Sequence, residues 1–273
     1  MLKFGPAGCD EGYAGKVVDI PAYLAENGLD AFEVQCGHGV RMGESAARTL
    51  RANAERHGIT LSVHAPYFIS LTNPERLDGN LQYLRQTAAL AGWLGAERVV
   101  VHTGAVMGLP RREAQSRAAK TVEAVLEAAR AEGWPDAVFC LETMGKVNQL
   151  GTVEEVLELC GTDGRLLPCI DFGHLYARSA GTFDDFASVL DAAEEALGVE
   201  RARGCHIHFS KIAYTKSGES KHLTFDDEGG PEWAPLARLL AERGYQSTVV
   251  CESRGTQTRD AAAMKKIYME GKT

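Results

Sequence analysis

Eight short apolar runs alternating with amphipathic stretches, in a chain of 273 residues, predict an α/β protein: a (β/α)8 TIM barrel forming a single domain over 1–273. Three observations carry this. The hydrophobic pattern switches regularly between a period of two and a period near 3.6. Strict alternation of strand and helix implies parallel strands joined by right-handed crossovers, and eight such units close a barrel. The length is near the roughly 250 residues usual for that fold, and no linker or low-complexity segment divides the chain.

The strand runs are LKFGPAG from Leu2, AFEVQCG from Ala31, TLSVHAP from Thr60, RVVVHTG from Arg98, VFCLETMG from Val138, LLPCIDFGH from Leu166, GCHIHFS from Gly204 and STVVCESR from Ser247. Each is short and rich in β-branched or apolar residues, as strands are. Between them lie stretches rich in Ala, Leu, Glu and Arg, such as Arg111 to Glu132 and Phe183 to Leu197. Many open on Thr, Asp, Asn-Pro or Gly-Thr, which serve as caps or first-turn residues. The longest non-periodic stretch is Lys211 to Pro231, after the seventh strand; a loop of that length in a compact domain is usually functional.

Composition narrows the class. The chain is 45% hydrophobic and 24% charged, as soluble globular proteins are. Its start lacks the basic and apolar regions of a signal peptide, and no apolar run approaches the ~20 residues of a membrane span, so a cytoplasmic protein is expected. Seven cysteines without CxxC spacing read as buried thiols. The net charge of −8 argues against a broad nucleic-acid surface. A local one is compatible with it, because bound divalent ions offset acidic charge.

Active sites of such barrels lie at the C-terminal ends of the strands. CIDFGH, Cys169 to His174, ends an apolar strand in a carboxylate and, three residues on, an imidazole. A buried carboxylate needs an ion pair or a metal, and no Lys or Arg stands beside Asp171 in the sequence. The other strand ends repeat the theme: His64 on the third, His102 on the fourth, Glu142 on the fifth, Asp171 and His174 on the sixth, His206 and His208 on the seventh, Glu252 on the eighth. His222 follows in the long loop. Strand parity puts Cys140 with Glu142, Val250 with Glu252, and His206 with His208. A single such residue reads as a core histidine or a salt-bridge partner; six of eight successive strands ending alike does not. His57, before Gly58, reads as a helix C-terminal residue, and His38 lies in a Gly-rich loop.

Imidazoles mixed with carboxylates and lacking thiolates suit zinc, manganese or iron, with zinc favoured by the number of histidines. Eight or nine ligands exceed one ion's capacity, so two or three ions sharing a bridging carboxylate are expected. Such clusters hydrolyse phosphate esters. The catalytic candidates are Glu142, as the bridge, and Glu252.

The motifs HAPYFISL, VVHTG, LETMG, CIDFGH, GCHIHFSK, KHLTF and CESRGTQ, spread from about Phe4 to Tyr268, resemble the endonuclease IV family of apurinic/apyrimidinic endonucleases, within the xylose isomerase-like TIM barrels. The resemblance implies a monomer that binds three metal ions, usually zinc, and cleaves the DNA backbone 5′ to an abasic site. It implies that His64 and His102 hold the first ion, that Glu142 bridges the first two, that Asp171, His206 and Glu252 hold the second, and that His174 and His222 hold the third. Tyr67 matches a tyrosine the family places against DNA. One departure stands out: where the family has a D-R-H run, this chain has Ser220, Lys221 and His222. His208 or Glu219 is expected to complete that third site.

Two other readings fit the same residues. A sugar isomerase or epimerase on this barrel would hold one manganese-like ion with Glu142, Asp171, His206 and Glu252, its glutamates shuttling a proton. It has no use for His64, His102, His174 and His222. A non-catalytic metal-binding barrel is argued against by the intact carboxylates. The basic residues near the strand ends are Arg41, Arg76, Arg111, Arg112, Arg178, Lys211, Lys216 and Lys221, of which Arg41 and Lys211, with Tyr67, are taken as substrate contacts.

Overall fold

The structure, a computed structural model, describes residues 1–131, 133–134 and 136–271. All eight expected strand runs are strands: β1 (Lys3–Pro6), β2 (Ala31–Gln35), β3 (Thr60–His64), β4 (Arg98–His102), β5 (Val138–Glu142), β6 (Leu166–Asp171), β7 (His206–Phe209) and, last in the chain, β10 (Thr248–Cys251). They form one parallel sheet in the order β1-β10-β7-β6-β5-β4-β3-β2. Bonds from Asp30 N to Phe4 O and from Gly8 N to Glu33 O, 2.8 and 2.9 Å, join the two ends. The sheet is thereby a barrel.

Strand parity divides the side chains. Phe4, Phe32, Val63, Val99, Val101, Phe139, Leu141, Ile170, Ile207, Phe209 and Val249 belong to one large apolar cluster with the surrounding helices. Val100, Cys140 and Cys169 form a separate small cluster, while Glu33, Ser62, His64, Glu142, Asp171, His206 and His208 are all buried polar residues of the same strands. Bulk lies outside the barrel wall and polarity inside it. This parity aims the strand-end residues at one place.

The helices are α1 (Ile20–Glu26), α2 (Glu44–His57), α3 (Leu77–Leu94), α4 (Arg111–Ala131), α5 (Val153–Cys160), α6 (Phe172–Arg178), α7 (Phe186–Leu197), α8 (Val199–Arg203), α9 (Trp233–Glu242) and α10 (Gln257–Glu270). His57 does end a helix, with left-handed Gly58 after it. Helix α7 starts three residues later than the periodicity predicts, because the Asp185 carboxylate accepts from Ser188 N and sets the N-cap there. The expected end of α4, Glu132, is outside the described residues. Helix α5 opens on a reciprocal capping box between Thr152 and Glu155. All seven cysteines are free thiols; Cys9 alone is partly exposed. No helix among the described residues is long and apolar enough to cross a membrane.

The stretch expected as a non-periodic loop holds an antiparallel hairpin, β8 (Ile212–Thr215) and β9 (Gly218–His222). Its second strand, GESKH, has no apolar alternation and so no sequence signature. Docking supplies what patterning does not: Glu219 N donates to Gly145 O and Val147 N to Ser217 O, both at 3.1 Å, tying the hairpin to the β5–α5 loop. Gly218 is at φ +96°, and a Cβ there would lie 2.1 Å from Gly145 O. Only glycine allows that approach.

A second close approach closes the barrel. A Cβ on Gly5 would lie 1.8 Å from Ala31 O, on the neighbouring strand. Gly5→Ala is therefore expected to force β1 away from β2 and to lower unfolding free energy by about 1–3 kcal/mol or more, as overpacking does. Urea denaturation followed by circular dichroism measures this, and unchanged stability would mean that the seam yields freely.

Candidate metal centre

Glu142 ends β5 with no solvent exposure. Its Oε2 lies 3.2 Å from His64 Nε2 and 3.0 Å from His102 Nε2, while Oε1 lies 3.3 Å from both His174 Nδ1 and His208 Nδ1. Four imidazoles from four barrel segments thus surround one carboxylate. His64, His102 and Glu142 form a first donor set, with their ligand atoms within 4.8 Å of one another.

A second set, within the same limit, is Glu142, Asp171, His208 and Glu252. This differs from the ligands that the sequence motif implies. The residue beside the carboxylates is His208, whose Nδ1 lies 3.6 Å from Glu252. His206, two residues earlier on the same face, is one step deeper in the barrel, paired in register with Cys169 while His208 is paired with Asp171. Strand register places His208, and not His206, level with Asp171.

The third set is His174, Glu219 and His222. His174 Nε2 lies 3.4 Å from Glu219 Oε2, and the hairpin brings Glu219 and His222 together from β9. Of the two residues expected to complete this set, Glu219 does so and His208 belongs elsewhere. The carboxylate that joins His174 and His222 in this set is thus one residue before Ser220. Two further groupings, His64 with His208 and Glu252, and Cys169 with His206 and His208, overlap the second set through His208.

Hydrogen bonds orient these imidazoles. His64 Nδ1 is 2.7 Å from Ala65 O, His174 Nδ1 is 2.9 Å from Thr143 O, and His222 Nδ1 is 2.8 Å from Ser210 Oγ. A ring whose Nδ1–H is given to a carbonyl or hydroxyl presents Nε2 as its lone pair, the tautomer a metal requires. Asp171 accepts from His174 N at 2.6 Å through Oδ1, capping α6, while its buried Oδ2 has no hydrogen-bond partner. An orphaned buried carboxylate oxygen among presented imidazoles fits a divalent cation. The donor set has the chemistry for zinc, manganese or iron.

Charges in the metal-free protein are coupled. Burial pushes the Glu142 carboxyl up, but His102, and hydrogen bonds from His102, His174 and His208, outweigh burial and hold it well below the usual range. Burial pushes His64 down; its hydrogen bond to Glu142, then the Glu142 charge, raise it to about 9. His174 and His208 are also raised, against burial, by Asp171 and by Cys169 and Glu252 respectively. Burial raises Asp171 to about 6, with His174 opposing. Protons on imidazoles neutralise here what cations otherwise would.

One residue was not singled out in the sequence: Glu33, on β2, fully buried and in contact with His206 and His208. The available signal was an acid in mid-strand, AFEVQ, flanked by the buried Phe32 and Val34.

The residues taken as substrate contacts divide. Tyr67 is 54% exposed and stands near-perpendicular to His38 and Phe68, with ring centroids 5.6 and 5.7 Å away. Arg41 is exposed on the β2–α2 connection. Lys211 is turned to its own loop, donating to Phe225 O and Asp227 O at 3.2 and 2.9 Å. Arg178 likewise donates to carbonyls of Met144, Lys146, Val147 and Gln149, bracing the loop on which the hairpin sits. Arg111 and Arg112 pair with Glu155 and Glu158.

Comparison with known proteins agrees with this architecture. The family model described as the xylose isomerase-like TIM barrel matches residues 21–268. An uncharacterised protein of Methanocaldococcus jannaschii is 32% identical, with 99% of this chain and 98% of that protein aligned. A protein named probable endonuclease 4, from Shouchella clausii, is also 32% identical, over 59% of this chain and 56% of its own length. Among solved structures, endonuclease IV of Thermus thermophilus superposes with a TM-score of 0.69 at 23% identity, over 98% of each chain. An L-ribulose 3-epimerase superposes with a TM-score of 0.72 at 17% identity, over 100% of this chain and 95% of its own. At these identities the solved structures share the fold.

The raised His64 sets a pH dependence. A group at 6.5 when unfolded and about 9 when folded contributes stability that is complete below about 6.5 and lost as pH rises through about 9. Metal-stripped protein is expected to lose unfolding free energy steadily from about pH 7 to about pH 9. Urea midpoints across that range test this; a flat profile would contradict the His64–Glu142 pairing.

Proposed function

For a chain that belongs to the xylose isomerase-like TIM barrel family, we propose the activity of a multinuclear metal-dependent phosphodiesterase that hydrolyses the DNA backbone at abasic sites. The observation that carries this reading is the presence of three donor sets at the barrel mouth, two of which share Glu142. An isomerase working with one ion needs the second set alone and leaves His64, His102, His174 and His222 without a task.

Under this reading His64 and His102 hold a first ion, Asp171, His208 and Glu252 a second, His174, Glu219 and His222 a third, and Glu142 joins the first two. Bound divalent ions supply Lewis acidity to phosphoryl oxygens and lower the pKa of water. The residues of the chain do the rest. Glu142 is enclosed by four imidazoles, which leave its buried carboxylate no open space to rotate into. His64 and His174 keep Nδ1–H donated to Ala65 O and Thr143 O, and His222 Nδ1 stays hydrogen-bonded to Ser210 Oγ, keeping each ring aimed inward. Glu252, 3.9 Å from His222 and 3.6 Å from His208, stands between the second and third sets, where a carboxylate can accept a proton from an attacking water.

Tyr67 is an exposed aromatic ring against which a base can stack. Lys216 and Lys221, exposed on the hairpin, and Arg41, exposed on the β2–α2 connection, are the phosphate contacts. The name of the Shouchella clausii relative supports a nuclease. The four-donor second set is the specific observation that favours the other reading, a sugar isomerase or epimerase on one ion.

Elemental analysis of protein purified with controlled metals is expected to yield close to three ions per chain, mostly zinc; one ion, especially manganese, moves the assignment to the isomerase. Glu142→Gln abolishes cleavage of an abasic-site duplex while the circular dichroism spectrum stays unchanged. Duplex binding weakens steeply between about 50 and 200 mM salt, as phosphate contacts do, by ~10-fold or more; affinity indifferent to salt excludes DNA as the substrate.

A further inference from the structure

Beneath the three donor sets, inside the barrel, lies a carboxylate that none of them uses. Glu33 is 0% exposed, on β2, level with Ser62 of β3. Its Oε2 accepts from Ser62 Oγ and His206 Nε2, both at 2.9 Å, and its Oε1 accepts from Gln35 Nε2 at 3.0 Å. A fourth group, His208 Nε2, lies 3.2 Å from Oε1, at ion-pair distance and off the line of a hydrogen bond. No Lys or Arg is among these partners. A buried charge with such a complete set of donors is built rather than tolerated.

His208 connects this carboxylate to the metal centre. Its Nδ1 faces Glu142 and Glu252, at 3.3 and 3.6 Å, and its Nε2 faces Glu33. The ring is also confined from two sides: His206 meets it edge-on at 5.2 Å between centroids, and His64 stacks on it at 5.9 Å. A ligating imidazole whose other nitrogen lies against a carboxylate is drawn to keep that N–H side toward the negative charge, here by ion-pair attraction and not by a hydrogen bond.

We propose that Glu33 is a positioning residue for the second metal set, acting through His208: it holds the ring with Nδ1 toward Glu142 and Glu252, and His206, Ser62 and Gln35 hold Glu33 in turn. This rests on the metal reading given above. The deeper imidazole, His206, is then a brace for the carboxylate rather than a metal ligand. Glutamine at position 33 would keep the shape but replace one acceptor by an amide NH2, which must face either His206 Nε2 and the Ser62 hydroxyl or the Gln35 amide and His208 Nε2, groups now directed at an oxygen.

The test is a titration of metal-stripped protein, wild type and Glu33→Gln, with Zn2+ against a chromophoric chelator, and with Co2+ followed by its d–d absorption. The expected result is that wild type binds its ions tightly, whereas in Glu33→Gln one ion alone binds roughly 10–100-fold more weakly and the Co2+ band of that site changes. Equal affinities and an unchanged Co2+ spectrum, with only the melting temperature lowered, would show that Glu33 is purely structural and overturn the proposal. If Glu33→Gln does not fold, Ser62→Ala, which removes a single donor to Oε2, is the second variant: a smaller weakening of the same ion supports the proposal, and wild-type affinity refutes it. Wild type that takes up no metal overturns the reading of the whole site, and this inference with it, so the two failures are told apart by the unmutated protein.

Discussion

A carboxylate with no access to water, at the mouth of an apolar barrel, can remain ionised only if positive or strongly donating groups stand close around it. Glu142 meets that condition through four histidines, and their placement organises the mouth. Each comes from a different segment: the ends of β3, β4 and β7, and the first turn of α6. Coulombic attraction at about 3 Å in a water-poor site is large, and so is the desolvation that it must offset. The metal-free arrangement is therefore one in which protons on His64, His174 and His208 neutralise acids that would otherwise repel one another. Asp171 joins that cluster through Oδ2, which makes no hydrogen bond and lies 3.5 Å from His174 Nδ1.

The wall that carries these groups is built by parity. Aromatic and branched side chains face the helices, and short or polar ones face the axis, so the barrel interior is narrow and can hold a layer of imidazoles and carboxylates. Gly5 lets the first two strands approach closely enough to finish the ring. The interior is stratified along the axis. Val100 is level with Cys140, Cys169 with His206, and Asp171 with His208 where the strands end. A shift of two residues along β7 is one layer in depth, which separates a group among the acids from one beneath them.

The hairpin after β7 is a different kind of element. It contributes little apolar surface and is kept in place by main-chain bonds to the β5–α5 loop, which Arg178 in turn holds through four carbonyls. Two of the three members of the third donor set arrive on it. The third set is thus the one whose assembly depends on loop docking and not on the barrel wall, and its acid, Glu219, departs in position from the family's motif.

The sequence by itself determined the eight strands, the barrel and the strand-end histidines and acids, because hydrophobic period and strand parity are local properties that survive without tertiary information. His64, His102, Glu142, Asp171, His174 and Glu252 could be read from their place at the end of apolar runs. Only the tertiary structure decided between His206 and His208, since both share a face and what distinguishes them is the register of β7 against β6. It alone brought Glu219 to His174 and His222, because GESKH has no pattern that marks a strand and its position is set by contacts distant in sequence. It alone brought Glu33 against His206 and His208 and turned Lys211 toward its own loop. Period tells which way a side chain faces; depth within the barrel, and what waits there, are set by how the strands pair.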